Sequence, residues 1–190
     1  HDGLNIARGA FALDDRILKT EINAKGNAVM KLESLARTNG FETKGAHSAL
    51  FDAELTLKVL GLIKSKQPHT WDSFLKTSNK SDTETIIKKD KIITLNEYFY
   101  GKSRLYLCAP LHPKYCTHPI YQWGQAVDLR FDVEPLLKMN ISDLKLQMKK
   151  SPKFLRTIRS NKAPIIIDKI YGMKVEPYNA MDISLIYKRA

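Results

Sequence analysis

The sequence predicts an α+β chain, in which an α-rich first part over residues 1–66 precedes a second part, residues 67–190, of mixed helices and short antiparallel strands. Three observations predict this organisation. Apolar residues recur at helical spacing up to about residue 63, Gln67-Pro68 interrupts the pattern, and β-branched or aromatic segments dominate from residue 91. Hydrophobic residues make up 43% and charged residues 27% of the chain, a composition typical of globular proteins rather than disordered ones.

Three helices are predicted in the first part. Residues 4–13 form an apolar helical segment, and residues 31–37 carry an apolar face before Asn39-Gly40 ends the helix with a left-handed cap. A third helix is predicted from residue 48 to about residue 63. Its helically spaced apolar residues are expected to face the core, and these are Leu50, Ala53, Leu57, Leu60 and Ile63.

The second part begins with a polar connector over residues 65–79, which contains a short helix near residues 72–75. Ser81-Asp82-Thr83-Glu84 has the pattern of a capping box and predicts a helix that runs to about Lys89. Ser142 is expected to cap a further helix over residues 143–150. The predicted strands are residues 91–100, 104–108, 120–129 and 163–168.

The net charge of +11 and the pI near 9.6 favour a polyanionic partner, with nucleic acid ahead of an anionic membrane. A solvated, lysine-rich surface is the alternative that this composition leaves open. No apolar run is long enough to span a bilayer, and the start of the chain lacks the pattern of a signal peptide. We therefore expect no membrane partner.

The two cysteines are too few for a disulfide framework. Cys108 and Cys116 also lack the paired spacing of a zinc site, although His112 and His118 lie close to Cys116 in the sequence. A reducing, cytoplasmic setting is the simplest interpretation. Because the chain opens on His1 rather than Met and runs directly into a helical segment, we expect a fragment of a longer protein.

The strongest chemical pattern lies in residues 45–53, where His47 precedes Asp52 as a glycine-led loop enters an apolar helix. An imidazole at the end of a loop and a carboxylate in the first helical turn can face the same cleft. This pair suits a metal-dependent hydrolase, with the imidazole accepting a proton from water and the carboxylate holding a divalent cation. A structural histidine and a carboxylate placed for helix-start electrostatics are the alternatives. One Asp cannot by itself hold a catalytic Mg²⁺ site.

Residues 31–40 and 46–56 together resemble the last motif of the DEDDh 3′→5′ exonucleases and, more narrowly, of the bacterial exodeoxyribonuclease I family. The stretches that carry the narrower resemblance are residues 62–68, residues 109–113, and Val127-Asp128-Leu129 followed by Pro135-Leu136-Leu137. The resemblance runs over nearly the whole chain. It implies the end of an RNase H-like exonuclease domain in residues 1–66 and an SH3-like domain in residues 67–190, with a third, helical domain expected after residue 190.

This family uses four acidic residues and one His with two divalent metal ions. The final His and final Asp map onto this sequence, which implies that His47 is the general base and that Asp52 is a metal ligand, with Mg²⁺ as the cation. The implied activity is that of a single-strand-specific 3′→5′ exodeoxyribonuclease of DNA repair and recombination, which releases 5′-mononucleotides by two-metal hydrolysis. Because the family's earlier acidic motifs do not occur here, the 190 residues alone are expected to be inactive.

The resemblance also implies two partners, single-stranded DNA and the acidic C-terminal tail of single-stranded-DNA-binding protein, and a monomeric intact enzyme. Basic side chains would contact phosphates, and aromatic side chains would stack on bases. The candidates are Lys64, Lys66, Lys102, Arg104, Lys114, Tyr98, Tyr100, Tyr115 and Trp123.

Three points stay open at the level of the sequence. The basic run over residues 149–159 could contact DNA, bind the acidic tail, or form a solvated loop. The chain could be a non-catalytic module that binds single-stranded DNA or the tail. It could also come from a related nuclease that acts on RNA, which the length of the resemblance after Pro68 disfavours.

Overall fold

The computed structural model describes residues 2–44, 48–112, 114 and 120–190. The α-helices in this part of the chain are α1 (Gly3–Leu13), α2 (Leu32–Thr38), α3 (Ala49–Lys66), α4 (Pro68–Leu75), α5 (Lys80–Lys89), α6 (Glu134–Leu137), α7 (Ile141–Lys149), α8 (Lys169–Gly172) and α9 (Ile183–Arg189). The strands are β1 (Ile93–Phe99), β2 (Lys102–Pro110), β3 (Gly124–Asp128), β4 (Leu155–Ile158) and β5 (Ile166–Ile167). None of the described helices is both long enough and apolar enough to cross a bilayer.

The described strands form one antiparallel sheet in the order β4-β3-β2-β1-β5. A tight hairpin joins β1 to β2, with Phe99 opposite Lys102. The two turn residues, Tyr100 and Gly101, have φ values of 51° and 79°, as a two-residue turn between right-twisted strands requires. The α+β class is therefore confirmed, and the assignment of residues 67–190 to an SH3-like domain stays a prediction.

The first three helices pack against the sheet through a common core. This core combines helical residues with strand and loop residues, among them Ile6, Leu35, Ile63, Leu105 and Ile167. Hydrogen bonds also join the two parts: Asn5 Nδ2 donates to the Lys162 carbonyl oxygen at 3.0 Å, and Ser103 Oγ donates to the Arg8 carbonyl oxygen at 2.8 Å. The domain division after residue 66 stays a prediction.

The buried face of α3 is the predicted one only in part. Ile63 is buried and Leu60 is half-buried against the core, as predicted, whereas Leu50 and Leu57 are 73% and 69% exposed and Ala53 is exposed as well. The residues that α3 buries are Leu55, Val59 and Ile63, spaced by four. Because apolar residues lie on several sides of this helix, periodicity could not identify the side that α1 and α2 cover.

Two predicted helix caps are wrong by two residues. Asn79, rather than Ser81, caps α5, and Asn140, rather than Ser142, caps α7. In both caps the Asn Oδ1 accepts the N–H of an Asp three residues later at 2.9 Å, and the Asn Nδ2 donates to that Asp carboxylate at 2.6 and 2.8 Å. Asn-x-x-Asp thus differs from a capping box, because the Asp carboxylate accepts from the Asn side-chain amide rather than from the Asn backbone N–H, and the predicted serines lie inside the helices.

Four of the described helices and strands of the second part were not predicted. The basic run contains strand β4, which pairs with β3, so the interpretation as a solvated loop is wrong for that segment. Helix α6 was also missed, as were α8 and α9, which follow β5. Helix α4 begins at Pro68 rather than near residue 72, because proline is compatible with the first helical turn.

Candidate functional site

Asp52 lies in the first turn of α3, as the sequence predicted. Ser48 caps this helix, since its Oγ accepts the N–H of Phe51 at 3.2 Å and its carbonyl oxygen accepts the N–H of Asp52 at 3.0 Å. The Asp52 carbonyl oxygen accepts a bond from Thr56 Oγ1 at 2.7 Å. These bonds fix the backbone of Asp52, a half-buried residue, at the N-terminus of the helix.

The rest of the predicted metal site lies outside the described residues or is incomplete. His47 falls outside them, as do Cys116 and His118. Within the described ranges, no three His, Cys, Asp or Glu side chains come together in a way that could hold a metal ion. Cys108 is a buried free thiol in β2. Asp52 thus supplies one carboxylate, and a two-metal site needs several ligands.

The two candidate lysines of α3 have different surroundings. Lys66 Nζ donates to the carbonyl oxygen of Ile17 at 3.0 Å, and this bond ties the end of α3 to the segment after α1. Lys64, two residues earlier, is exposed. Lys66 thus has a structural contact, whereas Lys64 faces solvent.

Four candidate residues lie on the β1–β2 hairpin. Tyr100 is 96% exposed at the turn, and Lys102 and Arg104 are exposed on the strand that follows. Tyr98 is half-buried, with the Arg8 guanidinium 3.9 Å from its ring centroid in a cation–π contact. The hairpin thus presents Tyr100 to solvent and packs Tyr98 against α1.

A groove of about 690 Å³ lies beside the β1–β2 turn and the first half of β2. Arg104 and Lys153 line it together with the aromatic residues Phe99, Tyr100 and Tyr106. The structure therefore brings two of the predicted contact residues, Arg104 and Tyr100, to one concave surface. Cationic and aromatic side chains in such a groove can contact the phosphates and bases of a single strand.

A buried ionic network adjoins this groove, and the sequence did not predict it. The Asp128 carboxylate has no exposed surface and accepts bonds from Tyr178 Oη at 2.6 Å, from Arg130 Nε at 2.8 Å and from Arg156 Nη2 at 3.0 Å. Arg156 also donates to Glu97 at 3.0 Å. Two carboxylates thus neutralise two guanidinium groups inside the fold, as buried charges require.

The network shifts three ionisation equilibria. Burial, assisted by the negative charge of Asp128, raises the pKa of the Tyr178 phenol well above its usual range. Burial and then the Asp128 charge also raise the pKa of the Cys108 thiol. Burial raises the pKa of Glu97 as well, although the Arg156 charge opposes this shift. Tyr178 and Cys108 are therefore neutral structural groups near pH 7 rather than nucleophiles.

Trp123, just before β3, has a well-defined setting. Its ring stacks on that of Tyr121, with centroids 4.6 Å apart and an interplanar angle of 17°. Its Nε1 donates to Asn161 Oδ1 at 2.7 Å, and the Arg159 guanidinium lies 5.2 Å from the ring centroid. Trp123 is half-buried rather than a core residue.

The last two candidates lie near the gap between residues 114 and 120. Lys114 is exposed, and its backbone N–H donates to His112 Nδ1 at 3.2 Å. Tyr115 lies outside the described residues. The structure thus distributes the predicted contact residues over α3, the β1–β2 hairpin and the segment around β3 rather than placing all of them on one surface.

Sequence reasoning missed Asp128, Arg156 and Tyr178 as an interacting group, and it missed Tyr121 and Arg159 beside Trp123. These partners are separated by 28 to 50 residues in the first group. Val127-Asp128-Leu129 gave no signal of this burial, because an acidic residue that alternates with apolar residues along a strand is expected on the solvent face.

Comparison with known proteins confirms the resemblance read from the sequence. The chain is similar to exodeoxyribonuclease I of Buchnera aphidicola subsp. Acyrthosiphon pisum, with 30% identity over 148 residues that cover 73% of the chain and 34% of the relative. The chain spans about a third of the length of the curated relatives it matches. No protein-family model matches it.

Solved structures show the same fold. A crystal structure of Escherichia coli exonuclease I in complex with a dA16 oligonucleotide matches 99% of this chain with a TM-score of 0.71 and 22% identity, and the match covers 42% of that protein. A structure of an ExoI/SSB-Ct complex matches 100% of the chain with a TM-score of 0.70 and 21% identity, again over 42% of the larger protein.

Proposed function

We propose that this chain is part of a single-strand-specific 3′→5′ exodeoxyribonuclease that acts in DNA repair and recombination and releases 5′-mononucleotides. The observation that carries the proposal is the extent of the similarity to exodeoxyribonuclease I. It continues through the strand-rich second part instead of stopping after the His47–Asp52 motif. A nuclease that shared the motif alone would not account for the match after Pro68.

Within this function, His47 accepts the proton of the attacking water and Asp52 supplies one oxygen ligand to a divalent cation. The bound cations would stabilise the attacking and leaving oxygens of the phosphodiester. Mg²⁺ is the cation we propose, because carboxylate oxygens are the ligands it prefers. One described carboxylate does not complete such a site, and for this reason we assign no reaction step to the other described residues.

The second part, residues 67–190, is proposed to be an SH3-like domain that guides single-stranded DNA towards the catalytic residues of residues 1–66. Support comes from the net charge of +11 and from the exposed positions of Lys64, Lys102, Arg104 and Tyr100. Lys114, Tyr115 and Trp123 remain proposed contacts. The acidic tail of single-stranded-DNA-binding protein is the proposed protein partner, since a basic surface suits it.

We also infer that the intact enzyme is a monomer in the cytoplasm. The setting is supported by the buried free thiol of Cys108, which suits a reducing compartment. A non-catalytic module that binds single-stranded DNA is the second candidate function. It is favoured by the strongly basic charge of the chain together with a described part in which no three His, Cys, Asp or Glu side chains come together in a way that could hold a metal ion.

Activity assays separate the two functions. The full-length protein encoded by the parent gene is expected to degrade a 3′-ended single-stranded DNA in the presence of Mg²⁺, releasing mononucleotides, and to leave duplex DNA and a matched RNA largely intact. The 190-residue chain alone is expected to bind the DNA without degrading it. A full-length protein that binds but does not cleave would support the non-catalytic module, and faster cleavage of RNA would contradict the DNA assignment.

A further inference from the structure

We propose that Tyr121, Trp123 and Arg159 form a platform on which one base of a single-stranded nucleic acid stacks. We refer to these three residues as the Trp123 platform. The inference rests on the proposed function for its ligand, single-stranded DNA. It goes further by naming one place where a base, rather than the phosphate backbone, is held.

The pairing of β3 with β4 brings Trp123 and Arg159 to one end of these two strands. Gly124 pairs with Ile158 across β3 and β4, and Gln125 pairs with Thr157. Trp123 and Arg159 flank the Gly124–Ile158 pair just outside the strands, and Asn161 lies in the short 3₁₀ helix that follows β4. Tyr121 lies in the turn before β3, and Gln122, with a φ of 53°, separates it from Trp123. Two bonds agree with this placement: Thr157 Oγ1 to Gln125 Oε1 at 3.1 Å, and Trp123 Nε1 to Asn161 Oδ1 at 2.7 Å.

The platform is ordered before any ligand arrives. The bond to Asn161 fixes the indole plane, and the nearly parallel Tyr121 ring, 4.6 Å away, supports it. Fixed rings lose little conformational freedom when a planar ligand binds. The three residues before Trp123 are accessible, since Ile120, Tyr121 and Gln122 are all exposed.

The charge beside the rings suits a nucleic acid. Arg159 is exposed, lies 5.2 Å from the Trp123 ring centroid and forms no ion pair with any described carboxylate. Lys162, also exposed, follows three residues later. Arg156, three residues before Arg159, is in contrast buried between Asp128 and Glu97. The exposed guanidinium can therefore contact a phosphate while the rings contact the base.

Stacked aromatic rings on a sheet face, with a nearby Arg, are a recurring solution for binding unpaired bases. A peptide would use the same surface less well, because the two rings are stacked nearly parallel and suit a planar partner. An acidic peptide is therefore the competing ligand in the test. Removing a stacking ring is expected to weaken binding of a single strand by about 5- to 150-fold.

Tryptophan fluorescence tests the platform directly, because Trp71 and Trp123 are the two tryptophans of the chain. Trp71→Phe leaves Trp123 as the single reporter. Stacking of a (dT) oligonucleotide is expected to quench its emission, whereas an abasic oligonucleotide of equal length and charge should quench it far less. If Trp71→Phe lowers the yield of folded protein, the difference in quenching between the unsubstituted chain and Trp123→Phe provides the same readout.

Affinity measurements provide the second readout. Trp123→Ala and Arg159→Gln are expected to weaken binding of the (dT) oligonucleotide, and Trp123→Ala should remove the preference over the abasic strand. Tyr187→Ala is a matched control, since Tyr187 is an exposed ring 5.0 Å from the Lys169 ammonium but lies in α9, away from the platform. The control should bind as tightly as the unsubstituted chain.

Four results would overturn the platform: emission that does not change when the oligonucleotide binds, equal quenching by the abasic strand, undiminished affinity of Trp123→Ala, or quenching by an acidic peptide with none by DNA. The proposed function can fail separately. If the full-length protein degrades single-stranded DNA while the emission of Trp123 does not change, the platform is wrong and the exonuclease proposal is supported. If DNA quenches the emission of Trp123 but the full-length protein does not cleave it, the platform is supported and the exonuclease proposal is wrong.

Discussion

The buried carboxylate of Asp128 gives the sharpest test of how this fold is stabilised. Asp128→Asn keeps the shape of the side chain and removes its charge. Asp128 is fully buried and contacts Tyr178, Arg130 and Arg156. Removing one partner of a buried ion pair costs about 3–5 kcal/mol, because the remaining charge stays desolvated.

The surroundings place the expected loss near the lower end of that range. Arg156 keeps its bond to Glu97 at 3.0 Å, and the Arg130 side chain is 26% exposed and can reach water. We therefore expect Asp128→Asn to lower the free energy of unfolding by about 3 kcal/mol. That is a large share of the roughly 5–15 kcal/mol typical of a folded domain.

Urea unfolding followed by far-ultraviolet circular dichroism measures this loss. Asp132→Asn is the matched control, since Asp132 is an exposed carboxylate four residues away whose Oδ1 accepts the N–H of Glu134 at 3.0 Å, a bond that Asn retains. The control should stay within about 0.5 kcal/mol of the unsubstituted chain. A loss below about 1 kcal/mol for Asp128→Asn, with Asp132→Asn unchanged, would refute the network as a source of stability.

Three further predictions concern the proposed catalytic pair, the helix caps and the raised pKa of Tyr178. In the full-length protein, His47→Ala and Asp52→Asn are each expected to remove most turnover on single-stranded DNA while retaining binding, and unchanged turnover would remove that residue from the mechanism. Asn79→Ala should lower the free energy of unfolding by about 1 kcal/mol, and Ser81→Ala by clearly less; equal losses in urea titrations would contradict the corrected cap. Because the pKa of Tyr178 is raised in the folded state, the unfolded chain loses the phenolic proton first, so stability should fall as pH rises above about 10. Tyr178→Phe should flatten that fall in urea midpoints, and an equally steep fall would show that Tyr178 is not its source.

Much of the architecture could be predicted from local pattern. Helices α1 and α2 and strands β1, β2 and β3 follow from apolar periodicity and β-branched content, because both features depend on neighbours in the sequence. The buried face of α3 could not be predicted in this way, since the covered side depends on how α1 and α2 dock. Strand β4 was missed because Arg156 looks like a surface residue until its partners, Asp128 and Glu97, are known.

The residues of the candidate site can be separated in the same way, into those that the local sequence encodes and those that depend on tertiary contacts. Asp52 could be predicted because its position at a capped helix start is encoded within a few residues. The contact between Tyr121 and Trp123 could not be predicted from strand alternation, because Tyr121 lies in a turn and Gln122 between the two rings has a φ of 53°. The position of Arg159 could not be predicted either, because β3 and β4 must first pair in the observed register to bring it to the same ring.

The net charge of +11 overstates the surface that is available to DNA, because several cations already have partners inside the fold. Arg156 and Arg130 neutralise Asp128, Lys66 binds the Ile17 carbonyl oxygen, and Arg189 donates to the carbonyl oxygens of residues 129 and 130. Exposed basic groups are spread over much of the described chain, and two of them, Arg104 beside the hairpin groove and Arg159 beside Trp123, lie next to aromatic rings. At these two positions a cationic group and aromatic rings occur together. Under the proposed function, this combination favours a single strand with unpaired bases over a duplex as the ligand.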